Sequence, residues 1–172
     1  IKTCENDITK KGKRDAVIIA ITYGAGLRRD ETANLKVSDY DEENGTITIK
    51  GKGNKERKNK INITIKKILD EWIKSENNND YLFYRINNNQ NTEKNLTGAD
   101  IYQIITRRYK QAKIKKISPH DLRRTYATKL LENGEDLFIV QELMGHSDVN
   151  TTKRYDKRAD TFKDKAAESL PF

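Results

Sequence analysis

His120 and Arg123 stand one helical turn apart in SPHDLRRTYATKL, residues 118–130, directly behind Pro119. Proline suits the first turn of a helix, where its missing N–H would go unpaired anyway, so both side chains fall in the opening turns and share a face. A helix start carries free N–H groups and the positive end of the dipole, so an imidazole and a guanidinium there resemble a phosphate seat. The pair equally suits a capping histidine beside a surface arginine. His146 is the other of the two histidines. Gly145 is expected to end the helix of LFIVQELM and leave His146 on irregular backbone, able to turn toward a ligand. Tyr155, in TTKRYDKR, has a polar and basic setting with no apolar companions. Packing or a surface hydroxyl is the ordinary use of a tyrosine, and a reactive phenol is the alternative. In YGAGLRRDE, Arg28 and Arg29 follow a tight Gly-x-Gly turn where backbone can approach a ligand closely. Arginine suits phosphate because its planar fork donates two parallel charge-assisted hydrogen bonds and keeps its charge. Two arginines from distant segments, together with His146, could surround one phosphate.

The elements that must position these residues follow from periodicity. Residues 14–25 (RDAVIIAITYGA) read as a buried helix, and DETANL as a short one after the turn. In VSDYDEENGTITIKGKGNKERKNKINITI, β-branched residues alternate with polar ones around an Asn44-Gly45 hairpin turn, which predicts a small antiparallel sheet. Its second connection, GKGNKERKNK, reads as a mobile, positive loop. The acidic run from Asp39 is no calcium loop, because Asn44 and Lys50 stand where glycine and glutamate are required. Residues 64–76 carry Ile65, Ile68, Leu69, Trp72 and Ile73 at helical spacing, a core stripe in which Trp72 is packing. Tyr81 to Tyr84 is a short extended piece, and the Asn-rich stretch from Asn87 to Asn95 reads as an exposed loop. Helices are predicted over 98–113, 120–133, 136–144, 150–157 and 159–170, with Gly134 and Gly145 as stops.

Composition bounds the partner. The 172 residues suit one domain, and 34 Lys plus Arg against 26 Asp plus Glu leave a net charge of +8. That field favours a polyanion, nucleic acid first, although a lysine-rich soluble surface would also produce it. Cys4 is the single cysteine, so neither an internal disulfide nor a thiolate metal site is available, which fits a reducing compartment. No apolar run is long enough to span a bilayer and the N-terminus has no signal-peptide core, so a cytoplasmic protein without membrane attachment is expected. The chain begins at Ile1 and its one methionine is Met144, which suggests a piece of a longer protein.

Taken in order, these segments resemble the tyrosine recombinases, the phage-type integrases and Xer-like recombinases, over nearly the whole chain. GAGLRRDE is similar to the family's first-arginine box, which implies a catalytic place for Arg28 and a supporting acidic role for Glu31. GKGNKER is similar to its strand-connecting loop, whose first lysine, here Lys52, is the implied general acid. HDLRRTYAT matches the His-x-x-Arg box with His120 and Arg123, LMGHS the next histidine position with His146, and TTKRY the nucleophile box with Tyr155. Ala25 stands where the family usually has threonine. The resemblance implies an α+β, mostly α-helical fold with a small antiparallel three-stranded β-sheet, forming a single catalytic domain over residues 1–172. The family's N-terminal DNA-clasping domain is absent from this sequence.

The chemistry agrees. A phosphodiester repels nucleophiles, so its non-bridging oxygens must be neutralised as charge builds, a task for Arg28, Arg123 and His146. Tyr155 needs help to become a phenolate, for which His120 is the candidate. The departing 5′ oxygen needs a proton, which Lys52, or less suitably Lys55, could deliver from a closing loop. The expected product is a 3′-phosphotyrosyl linkage that a 5′ hydroxyl reseals without ATP, with no metal or other cofactor. The expected partner is double-stranded DNA, on which the family resemblance implies a homotetramer, a monomer being allowed off DNA. Ala159, Phe162, Ala166 and Leu170 form an apolar stripe that either packs on its own domain or, by resemblance, docks the tail 159–172 on a neighbouring subunit. Two other readings are a type IB topoisomerase-like enzyme that relaxes supercoils and a non-catalytic DNA-binding protein on the same scaffold.

Overall fold

The computed structural model describes residues 1–51, 55–76, 80–88, 90–156 and 168, in two compact units, 1–126 and 127–172. The first unit holds α1 (Lys2–Glu5), α2 (Lys10–Gly24), α3 (Arg29–Asn34), β1 (Tyr40–Asp41), β2 (Thr46–Lys50), β3 (Glu56–Lys60), α4 (Ile63–Ser75), β4 (Tyr84–Asn87), β5 (Gln90–Asn95) and α5 (Gly98–Gln111). The division falls inside α6 (Pro119–Glu132), and α7 (Leu137–Met144) and α8 (Val149–Lys153) lie in the second unit. Helices dominate, as the sequence predicts. Among the described residues no helix is long and apolar enough to cross a membrane.

Antiparallel β1, β2 and β3 form the expected three-stranded sheet in that order, turning at Gly45 with φ +62°. The third strand, however, lies in the segment read as a loop. Lys50 pairs with Glu56 and Thr46 with Lys60, while INITI, read as strand, opens α4, where Asn62 caps the helix by accepting from the Ile65 N–H at 2.9 Å. The cause is polarity: β2 turns Ile47 and Ile49 inward, whereas the half-buried and buried positions of β3 are Arg57 and Asn59. An inward-facing arginine and asparagine erase the apolar alternation by which strands are recognised.

The Asn-rich stretch also departs from expectation. It pairs as an antiparallel hairpin of β4 and β5, with Asn87 opposite Gln90 and Asn88 at φ +49°. Asparagine reads as loop yet is among the few residues that tolerate left-handed backbone, which a tight hairpin requires. Buried Ile86 and Leu96 anchor the hairpin to the core.

One hydrophobic core fills the first unit, drawing Val17, Ile18 and Ile21 from α2, Leu69 and Trp72 from α4, and Ile101, Ile104 and Ile105 from α5. Trp72 is packing, as predicted: its indole N–H donates to the Leu82 carbonyl at 2.9 Å and its ring stacks on Phe83 and Tyr84. Cores of this kind hold backbone elements to within fractions of an ångström, because close-packed interiors resist deformation. The α2–α3 turn, through Ala25 and Leu27, and the end of β3, through Ile61, rest on it. In the second unit, α7 ends where expected, at Gly145 in left-handed backbone (φ 59°, ψ 44°), and α8 ends at Lys153, four residues earlier than the periodicity suggests.

Candidate active site

Three elements of the first unit bring their side chains to one carboxylate. After α2, Gly26 turns the chain at φ +61°, a conformation that favours glycine, and a Cβ added there would stand 2.7 Å from Cε1 of Tyr126. The turn places Leu27 in the core and Arg28 at the cap of α3 in extended backbone. Glu31, one turn into α3, reaches back and accepts from the Arg28 N–H (2.8 Å, Oε2) and from Arg28 Nη1 (2.8 Å, Oε1). The carboxylate at a helix start is where backbone dipoles favour it.

Arg57 of β3 adds a two-pronged contact, Nη1 to Oε1 at 3.0 Å and Nη2 to Oε2 at 2.7 Å. Arg123 of α6 stands 3.7 Å from Oε2 through Nη1, which donates to the Gly26 carbonyl. Exposure separates their roles: the Arg28 side chain is 44% exposed, Arg57 9%, Glu31 8% and Arg123 4%. Three guanidiniums around one carboxylate leave two net positive charges at the surface end of a buried network.

Burial by itself would raise the Glu31 carboxyl, but hydrogen bonds from Arg57 and the Arg28 N–H, and the Arg57 charge, outweigh it and hold the pKa at about 2. Its ordinary value is 4.5. A depressed carboxyl stabilises the fold fully above its unfolded pKa and loses that stabilisation as pH falls through the window from 4.5 towards 2. The difference corresponds to about 3 kcal/mol. Glu31→Gln is therefore expected to be less stable than wild type at pH 7, with the gap narrowing between pH 4.5 and pH 2.5. Denaturant midpoints at pH 7, 4 and 3 measure it, and a gap that stays constant with pH would contradict this account.

The start of α6 differs from the phosphate seat read from the sequence. Ser118 donates its hydroxyl (2.6 Å) and its N–H (2.9 Å) to Asp121 Oδ2, and the Asp121 N–H returns a bond to Ser118 Oγ (3.2 Å). The chain's own carboxylate thus caps the helix. His120 is exposed on this first turn while Arg123 is buried, so the two face different surroundings.

The second unit carries the other pair. Beyond Gly145, the His146 carbonyl accepts from Gln141 Nε2 at 3.0 Å, fixing the irregular backbone. His146 Nδ1 and Thr152 Oγ1 form a 2.9 Å hydrogen bond, and Thr152 is fully buried. The His146 and Tyr155 rings lie with centroids 6.0 Å apart at 36°. The Tyr155 N–H is held by the Thr152 carbonyl at 2.9 Å, so one threonine fixes both the imidazole and the backbone of the tyrosine.

Of the residues singled out from sequence, Arg28, Glu31 and Arg123 meet in one cluster, and His146 and Tyr155 in another. Lys52 and most of the tail 159–172 lie outside the described residues. Two neighbours in these clusters, Arg57 and Thr152, stand outside the residues singled out from sequence. Arg57 lies in the segment that reads as a loop, although it shares parity with Asn59 and the buried Ile61, the signal that could expose it. Thr152 had no signal beyond its place between His146 and Tyr155.

Comparison with known proteins gives the following. The model of the "Phage integrase family" matches residues 1–161. Tyrosine recombinase XerA of Pyrococcus horikoshii is 34% identical over 146 residues, covering 84% of this chain and 50% of that protein. The crystal structure of XerA recombinase is 29% identical with a TM-score of 0.78, covering 99% of this chain and 61% of that one. XerH site-specific recombinase, bound to its difH substrate in a pre-cleavage complex, is 30% identical with a TM-score of 0.76, covering 98% of this chain and 50% of that one. The chain thus spans about half the length of such relatives.

Proposed function

Because the chain belongs to the phage integrase family, we propose that it forms the catalytic part of a site-specific DNA recombinase that cuts and rejoins strands through a covalent 3′-phosphotyrosyl intermediate. The observation that carries this reading is the convergence of Arg28 and Arg123, from segments far apart in the chain, on Glu31 with positive charge in excess. A scissile phosphate placed there meets two forks able to bind its non-bridging oxygens, which gain charge as the pentacovalent transition state forms. We assign His146, whose Nδ1 is hydrogen-bonded to Thr152, the part of a further donor.

The Tyr155 oxygen attacks phosphorus, the bond from phosphorus to the 5′ oxygen breaks, and Lys52 protonates that oxygen. His120, exposed on the first turn of α6, is assigned to assist loss of the tyrosine proton. Resealing reverses the step, with a 5′ hydroxyl attacking the phosphotyrosine and the phenol leaving. The ester exchange is nearly isoenergetic, so neither ATP nor a redox partner is consumed. The partner is double-stranded DNA, a reading supported by the difH substrate that the similar XerH site-specific recombinase holds. We place four copies on two DNA sites during exchange, with the tail 159–172 of each docking on a neighbour, and the protein in the cytoplasm at the nucleoid.

The test uses the full-length protein and a pool of nicked duplexes with a randomised core, in which the short fragment released on cleavage diffuses away and traps the adduct. Covalent protein–DNA complexes that survive detergent are expected, and sequencing the trapped DNA gives the site. Binding without any adduct would overturn the proposal in favour of a DNA-binding protein. Adduct formation with relaxation of supercoils but no strand exchange would overturn it in favour of a topoisomerase.

A further inference from the structure

We propose that Arg57 is a positioning residue of this site: its fork matches the charge of Glu31 and so leaves Arg28 and Arg123 to serve a bound phosphodiester. The inference rests on the recombinase reading above.

Glu31 is needed to hold the Arg28 backbone and side chain, yet its charge opposes what the site is for. A carboxylate shared by Arg28 and Arg123 alone would cancel one of their two charges, and the phosphate would meet a net charge of one. Arg57 changes this balance. It takes both carboxylate oxygens in the parallel geometry that binds carboxylate best, at 3.0 and 2.7 Å, whereas Arg28 Nη1 donates to Oε1 and Arg123 stands 3.7 Å away.

Arg57 is poorly placed to bind phosphate itself. With its side chain 9% exposed against 44% for Arg28, it would have to abandon both bonds to Glu31 to reach a ligand at the surface. Its backbone is fixed as well: Arg57 pairs with Ile49 in the sheet, and two residues on, Asn59 Nδ2 donates to the Ala25 carbonyl at 2.8 Å. Strand β3 therefore grips the segment from Ala25 to Glu31 at two points, one through backbone and one through the carboxylate. A lysine could supply the charge at this position but not the fork that covers both oxygens.

The charge argument makes a prediction that a purely architectural role does not. Removing Arg57 alone leaves Glu31 to consume a catalytic charge; removing both Arg57 and Glu31 as charges restores a net charge of two. Full-length wild type, Arg57→Met, Glu31→Gln and the double variant are compared in single-turnover cleavage of the nicked duplex selected as above, with melting and DNA affinity measured in parallel. Arg57→Met is expected to form adduct about 100-fold more slowly while binding DNA within a few-fold of wild type. The double variant is expected to recover about tenfold or more of that loss.

Arg57→Met cleaving at the wild-type rate, or a folded double variant no faster than Arg57→Met, would overturn the proposal. Should Arg57→Met fail to fold, the double variant decides: folded and cleaving supports charge matching, while unfolded or folded and inactive overturns it. Adduct formation by wild type is the control that keeps the recombinase reading separate, since that result stands whatever Arg57 does.

Discussion

Tyr155→Phe is expected to abolish covalent attachment to the nicked duplex, by about 10⁴-fold or more in rate, while leaving DNA binding and melting unchanged. The substitution removes one oxygen and keeps the ring beside His146, so packing is preserved. Three of the other tyrosines, Tyr40, Tyr84 and Tyr126, are engaged elsewhere. The Tyr40 hydroxyl donates to Asp70 at 2.6 Å, and burial followed by that carboxylate pushes its pKa up, away from phenolate. The Tyr84 hydroxyl donates to Glu76. Burial pushes up the Tyr126 phenol too, against the pull of Arg57 and Arg123, and its ring sits over Gly26 as a wall of the turn. Tyr155 differs in standing just past the end of a short helix, with an imidazole as neighbour. Retention of adduct by Tyr155→Phe would move the nucleophile to another residue and with it the whole assignment of the second unit.

Some of this could be read from the sequence and some could not, for physical reasons. Helices built on an apolar stripe are legible because burial imposes their period, and α4 and α5 begin and end within two residues of expectation. Arg28 and Glu31 are legible because a glycine turn, a cap and an acidic residue one turn later obey local rules. Arg57 is not, because the property that makes it useful, a charge turned inward on a strand, is what makes the strand look like a loop. Thr152 is silent for a related reason. A buried threonine in TTKRY resembles any helix threonine until the fold brings His146 Nδ1 to its hydroxyl. Polar residues that serve other polar residues carry no periodic signature, since their partners lie elsewhere in the chain.

Arg123 gives the second large effect, and the informative substitution is lysine rather than alanine. Lysine keeps the charge, so any loss is assigned to geometry. Arg123 is buried, its Nη1 donates to the Gly26 carbonyl, and the same nitrogen lies 3.7 Å from Glu31, which fixes the plane of the guanidinium. A guanidinium held in this way meets a phosphate without reorganising during the reaction, which is what makes a preorganised donor worth several kcal/mol. An ammonium cannot bind the carbonyl and the phosphate with the same fixed fork. Arg123→Lys is therefore expected to slow single-turnover adduct formation by about 10²–10³-fold. DNA affinity and its salt dependence should hardly change, because the count of positive charges is the same. The neighbouring Arg124, 57% exposed and 3.4 Å from Asp121, is the matched control, and Arg124→Lys should cleave at the wild-type rate. Equal rates for the two variants would mean that charge alone, and not the fork held by Gly26, is what position 123 contributes.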